Sequence, residues 1–170
     1  MGEIKRKRRK FRKPKKPFDK ERIEEENVLV QRYGLKNKKE IWKAESEISK
    51  IRRRAKALIP RPEEEKKEFF AQLNKQGFKV SEISDVLALT KENWLDRRLQ
   101  TILFKKKMAN TIKQARQLIT HKYVLVDGAI VNAPSLTVKK ELENKIELRI
   151  KKEKIKRDEK EETGEKEDGN

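Results

Sequence analysis

Positive charge limits what this chain can become more than any other feature. Lysine and arginine number 47 against 29 acidic residues, a formal +18 over 170 residues. Packed into a compact monomer such charges repel one another, whereas a polyanion attracts them. Charged residues make up 45% of the chain and apolar residues 34%. Typical globular chains run about 25% charged and roughly 45–50% apolar counting glycine. The core must therefore be small, and much of the chain is expected to gain order from a partner.

Nucleic acid is the first candidate partner and an anionic membrane the second. The charge is uneven, at +13 in residues 1–60, +6 in 61–150 and −1 in 151–170. No run approaches the roughly 18 apolar residues of a spanning helix. The basic helices lack a large apolar face for lying in a lipid surface. The N-terminus has no apolar signal-peptide stretch. A soluble, intracellular protein without a membrane partner is expected. The absence of cysteine excludes disulfides and thiolate metal sites, and a single histidine, His121, excludes a multi-histidine one. No cofactor, metal or small-molecule substrate is expected.

The periodicities predict an α+β protein, with a mostly helical N-terminal region before a small module of two helices and a short antiparallel sheet. Four segments follow. Residues 1–18 form a basic extension, with no apolar period from Lys5 to Lys16 and no order of its own. Residues 19–91 form a helical domain. Asp19 can cap a helix over about 20–33, with Gly34 just past its end. Asn37 and Glu40 make an N-terminal capping pattern. Ile41, Ala44, Ile48, Ile51, Ala55 and Leu58 then mark one face of a long helix, which Pro60 and Pro62 end. Arg52, Arg53 and Arg54 lie in its last third and suggest a phosphate-binding face. Pro62 and Glu63 to Glu65 open another helix, with Phe69, Phe70 and Leu73 on one face and Gly77 at its end. Phe78 to Leu89 reads as core.

Residues 92–150 carry the sharpest signal. Thr90 can cap a helix burying Leu95, Leu99 and Ile102 or Leu103, closed by Lys105, Lys106 and Lys107. Thr111 and Gln114 fit a capping box before a short helix that buries Ala115, Leu118 and Ile119. Lys113 and Arg116, three apart, share a surface of that helix. Tyr123 to Val131 reads as a hairpin about Asp127-Gly128, a type I′ pair. Ile146, Leu148 and Ile150 alternate as a further strand. Residues 151–170 form a charged, flexible tail. Aromatic residues are only 6%, so shape and backbone recognition of folded RNA fits better than a stacking platform. Trp42 and Trp94 read as packing residues.

Leu95-Asp-Arg-Arg-Leu-Gln, Ala115-Arg-Gln-Leu-Ile, Val126-Asp-Gly and Pro134 resemble the RNA-binding module named after ribosomal protein S-four. Lys20-Glu-Arg-Ile-Glu, Tyr33-Gly-Leu-Lys-Asn-Lys-Lys-Glu-Ile-Trp-Lys and Arg52-Arg-Arg-Ala resemble the archaeal and eukaryotic branch of that small-subunit protein. The resemblance covers roughly residues 5–150. It implies a structural, non-enzymatic constituent of the cytoplasmic small ribosomal subunit. Such a protein binds small-subunit (16S-type) ribosomal RNA early, nucleates assembly of the subunit body and contributes to translational accuracy. Its implied neighbours are small-subunit ribosomal protein five and messenger RNA where it enters the subunit. By motif match, RNA contact falls on Arg97, Arg98, Arg116 and His121. From charge and placement, Lys105, Lys106, Lys107, Lys113 and Lys122 join them. His121 also suits a helix-end role, and Arg98 and Arg116 also suit ion pairs with Asp96 or Glu92. Two positions depart from the pattern, since related sequences tend to have glycine where Lys107 and Lys122 stand. At Lys122 a glycine would suit a left-handed helix end, and lysine there costs some strain. The alternative function is a free ribosome-associated RNA-binding factor. An enzyme is disfavoured, since no paired-carboxylate motif, Gly-rich phosphate loop or nucleophile elbow is present.

Overall fold

The structure is a computed structural model that describes residues 10–149. The expectations for residues 1–9 and for the charged tail, together with Ile150, lie outside the described residues. Helix α1 spans Lys20–Arg32 and α2 Lys39–Leu58; α3 is Glu63–Lys75 and α4 Ile83–Ala88. Helices α5 (Lys91–Asp96), α6 (Leu99–Lys105) and α7 (Ile112–Thr120) precede β1 (Val124–Val126), β2 (Ala129–Ile130), a 3-10 turn at Lys140–Lys145 and β3 (Ile146–Leu148).

The α2 stripe packs as its spacing predicts, with Ile41, Ala44, Ile48 and Ala55 buried and Ile51 and Leu58 partly so. Ile41 and Ala44 join Leu29, Tyr33, Leu35 and Leu95 in one apolar cluster. Ile48 and Ala55 join Phe69, Leu73, Phe78, Val80, Val86 and Leu89 in a second. Helix α2 is thus the spine of both. A third cluster is built from Leu99, Ile102, Leu103, Ala115, Ile119, Val124, Val138 and Ile146. Each valine, leucine, isoleucine or phenylalanine among them contributes about 1.5–3 kcal/mol when fully removed from water.

The sheet has the order β2-β1-β3, antiparallel throughout. Asp127 (φ +53°) and Gly128 (φ +76°) form the I′ turn that the Asp-Gly pair predicts. The cap at Thr111 also holds, its Oγ1 accepting from the Gln114 amide at 3.1 Å. At α2 the pattern is displaced. Asn37 Oδ1 accepts from the Lys39 amide at 2.9 Å, while Glu40 reaches back to the Lys36 amide at 3.3 Å.

One expectation about the helices needs correction. The helix expected from Thr90 through Lys107 is two helices, α5 and α6, broken at Arg97 and Arg98. Arg98 adopts an extended backbone (φ −74°, ψ 143°). The break lets Leu99 donate to the Leu136 carbonyl at 2.8 Å and Arg97 accept from the Val138 amide at 3.0 Å. Pairing with a segment some forty residues away thereby outweighs local helix propensity. The described part of the N-terminal extension, Lys10 to Phe18, contains neither helix nor strand but is fastened to the helices. Phe11 packs on Trp42 with ring centroids 6.0 Å apart, and the Arg12 amide donates to Ser46 Oγ at 3.2 Å. Arg22 donates to the Lys16 and Pro17 carbonyls.

Gly77 ends α3 at φ +89°, and a methyl group there would lie 2.3 Å from the Arg97 guanidinium carbon. Gly128 has nothing within 4 Å of the same position. Gly77→Ala should therefore destabilise the protein by about 2 kcal/mol, combining left-handed strain with displacement of a bonded guanidinium. Gly128→Ala should carry only the strain, about 1 kcal/mol. Equilibrium urea unfolding compares the two, and equal losses would remove Arg97 from this account.

Candidate nucleic-acid interface

The cations expected to meet RNA divide by what their side chains already hold. Glu40, in the first turn of α2, faces both α6 and α7. Its carboxylate accepts from Arg98, and from Arg116 Nη2 at 3.1 Å. Arg116 also donates to Gln100 Oε1 at 3.3 Å, and buried Gln100 donates to the Tyr33 carbonyl. Arg98 is 3% exposed. Arg97 binds the Gln76 carbonyl at 3.0 Å, the Val138 carbonyl at 2.8 Å and the Glu143 carboxylate. Lys106 donates to the Glu143 carbonyl, and Arg52 to the Leu89 carbonyl. These five cations are occupied inside the protein. The anticipated ion partners of Arg98 and Arg116 are also replaced. Asp96 pairs with Lys105 at 3.0 Å, Glu92 with Arg32 at 3.2 Å, and both arginines go to Glu40.

The remaining expected residues face solvent. Arg54 is exposed, lies 5.0 Å over the Phe69 ring and donates to Gln72. Lys105 is exposed in its pair with Asp96. Arg53, Lys107, Lys113, His121 and Lys122 are exposed and make no side-chain hydrogen bond or ion pair among the described residues. Lys113 and Arg116 share a helix but not a task, since Arg116 turns back toward Glu40. His121 is the residue at the C-terminal end of α7, its ring 6.4 Å from that of Tyr123.

A second basic surface is a groove of about 560 Å³ between the N-terminal segment and helices α1 and α2. Its rim carries Lys13, Lys15, Lys16, Lys50 and Arg53, and its wall includes Trp42 and Ser46. Beside Trp42, the buried Glu26 carboxylate accepts from Arg22 at 2.6 Å and from Trp42 Nε1 at 2.9 Å, with Lys38 Nζ 3.6 Å away. The charge run foretold the cations; only the fold brings them opposite Lys50 and Arg53. Trp94 stacks on Phe78 at 5.8 Å, a packing role as expected.

Two carboxylates hold these surfaces together, and both are shifted. Burial would raise the Glu40 carboxyl, but hydrogen bonds from Arg116 and Arg98 and their charges bring it below the ordinary glutamate range. Burial likewise acts to raise Glu26, and bonds from Trp42 and Arg22 with the charges of Arg22 and Lys38 overcome it. Both groups therefore bind protons more weakly folded than unfolded. Their stabilisation is complete above the unfolded value, about pH 4.3, and is lost as pH falls through the depressed folded values. A Glu26→Gln, Glu40→Gln double variant should show a shallower loss of stability on acidification below about pH 4.3, measured by urea titration at each pH. An unchanged acid limb would discharge both residues.

Arg98→Ala leaves the half-buried Glu40 with one guanidinium instead of two and should destabilise the protein by about 2 kcal/mol. Lys113→Ala should change stability by no more than about 0.5 kcal/mol. Thermal and chemical denaturation separate the two, and an undisturbed Arg98→Ala fold would return that guanidinium to the RNA-facing set.

The S4 domain family matches residues 97–144. A protein of Saccharolobus solfataricus named small ribosomal subunit protein uS4 is 44% identical over 157 residues, covering 88% of this chain and 87% of the relative. The proteins of that name from Hyperthermus butylicus and Nanoarchaeum equitans are 43% and 45% identical over 153 and 151 residues. Coverage there is 86% of this chain and 87% of the relative for the first, and 84% of each for the second.

Proposed function

This chain belongs to the family of small ribosomal subunit protein uS4, and from that premise we propose that it binds small-subunit ribosomal RNA through two exposed basic surfaces. It is a structural, non-enzymatic constituent of the cytoplasmic small ribosomal subunit. One surface is the module's, formed by Lys105, Lys107, Lys113, His121 and Lys122. The other is the groove, with Arg53 and Arg54 continuing it along α2. The observation that carries this reading is the sorting of cations. Arg97, Arg98, Arg116, Lys106 and Arg52 are bonded within the protein. Several neighbouring lysines are left exposed without an internal counter-charge.

The reading extends to early binding that nucleates assembly of the subunit body. Its support is that residues 10–149 hold three apolar clusters and a polar seam of their own, so RNA would meet a surface already formed. A part in translational accuracy, a contact with ribosomal protein five and proximity to entering messenger RNA rest on the family resemblance.

Phosphate neutralisation should dominate affinity, so that the logarithm of the association constant with a 16S-type transcript falls linearly with the logarithm of salt. Lys113→Ala should lower the magnitude of that slope by about one while leaving sequence preference unchanged. Filter binding across a salt series measures both. A flat salt response would refute the reading; an unchanged slope in the variant would remove Lys113 from the interface. Retention of one copy per subunit through high-salt sedimentation distinguishes a structural constituent from a free factor, which would wash off.

A further inference from the structure

Among the described residues, four helices end in the same two-bond motif. In each, the residue just past the end takes a left-handed backbone and donates to a carbonyl three residues back. The next residue donates to one five back. In α1 these are Gly34 to Gln31 (3.3 Å) and Leu35 to Val30 (3.0 Å); in α3, Gly77 to Asn74 (2.9 Å) and Phe78 to Leu73 (3.1 Å). In α6 they are Lys107 to Phe104 (2.9 Å) and Met108 to Leu103 (3.2 Å). In α7 they are Lys122 to Ile119 and Tyr123 to Leu118, both 3.0 Å. The left-handed residue is glycine in the first two and lysine in the last two, at φ +58° for Lys107 and +63° for Lys122.

Glycine adopts this backbone freely, whereas a side chain crowds its own carbonyl there. The glycine ends have a further reason for glycine. An added carbon at Gly34 would meet Ile112 at 3.1 Å, and at Gly77 it would meet Arg97. Lys107 and Lys122 are exposed, so lysine is permitted at those ends but is not the stablest choice. Attraction of a cation to the helix dipole does not account for Lys107, because α6 already closes with Lys105 and Lys106. Helix α7 has no basic residue in its last turn, so Lys122 also meets the dipole. At an exposed end that attraction is smaller than the cost of the left-handed backbone. Strain kept at both exposed ends calls for a use of the side chains.

We propose that Lys107 and Lys122 are dedicated phosphate-contact points, at which stability of the free protein is given up for a charge fixed at each helix end. The proposal rests on the RNA-binding reading and adds to it. The rigid left-handed turn holds each lysine stem on a short, well-defined base, where a frayed end would let it wander. The ammonium groups therefore project from the ends of α6 and α7, while Lys113 projects from the side of α7.

The test compares Lys107→Gly, Lys122→Gly and their double variant with the full-length protein, alongside Lys107→Arg, Lys122→Arg and Lys67→Ala. Lys67 is an exposed lysine of α3 outside both basic surfaces and reports the loss of one charge in general. Two readouts are taken, the melting temperature of the free protein and affinity for a 16S-type transcript over a salt series. Each glycine variant should melt about 2–4 °C higher and bind roughly threefold more weakly, its salt slope lowered by about one. The arginine variants should keep wild-type affinity, and Lys67→Ala should lose less than either glycine variant. Two results would overturn the proposal: glycine variants that melt no higher, or that bind no worse than Lys67→Ala. In either case a steep wild-type salt slope would leave the RNA-binding reading standing. A wild-type protein whose binding ignores salt would remove both.

Discussion

The Glu40 carboxylate stands between two guanidinium groups, and the relation between the two halves of the molecule follows from it. Arg98 precedes α6, Arg116 lies on α7, and Glu40 opens α2, 58 and 76 residues away in sequence. The apolar cluster of the module contains no residue of α2. The clusters on α2 take Leu95 and Trp94 from α5 but nothing from α6 or α7. Polar groups therefore bridge the seam, and Arg97 repeats the pattern by joining Gln76, Val138 and Glu143. Hydrophobic contact alone is tolerant of sliding and rotation. A carboxylate fixed by two planar, fork-shaped donors is not. Directional bonds at this seam hold one basic surface at a set angle to the other.

The chemistry of the two cations explains why the sorting falls as it does. Guanidinium is planar, weakly hydrated and offers five donors, so it can enter a crowded seam and satisfy several carbonyls and carboxylates together. Ammonium is compact and strongly hydrated and remains at the surface on a flexible stem. Arg97, Arg98 and Arg116 accordingly become structural, while Lys107, Lys113 and Lys122 stay in water; Lys106, bonded to the Glu143 carbonyl, and the exposed Arg53 and Arg54 depart from this division. Net charge is thus a poor guide to how much of the surface meets RNA. A formal +18 includes cations whose fields are largely matched inside the protein.

What could be read in the sequence depended on how far each interaction reached along the chain. The α2 stripe, the Asp127-Gly128 turn, the Thr111 cap and the ends at Gly34 and Gly77 depend on neighbours within a turn or two, and the structure contains them. The left-handed backbone at Lys122 follows from a position where related sequences tend to have glycine, whereas that at Lys107 emerges only in the structure. The break at Arg97 and Arg98 was hidden because its cause is Leu136 to Val138. The occupation of Arg98 and Arg116 was hidden because the partner is Glu40. A local reading assigned Glu40 to a cap, and the cap bond to Lys36 exists, but the same carboxylate has capacity for further donors. An acidic residue stands in the first turn of each of α1 to α5, so no local signal set Glu40 apart.

The position of Glu40 also bears on how the protein would meet a polyanion. Phosphates approaching the seam compete with the carboxylate for the same guanidinium groups. Glu40 has the advantage because it is already largely desolvated and hydrogen-bonded in the folded protein, whereas a phosphate would have to shed its water to enter. The exposed lysines offer phosphate a contact without that loss. In the proposed binding mode the half-buried acid would therefore direct RNA outward, to the ends and outer face of the helix pair, by keeping the stronger binders occupied. On this argument the internal ion pairs and the RNA-facing lysines are two sides of one arrangement, in which the angle between basic surfaces is fixed before RNA arrives and the binding charge stays on residues that remain free to yield to it.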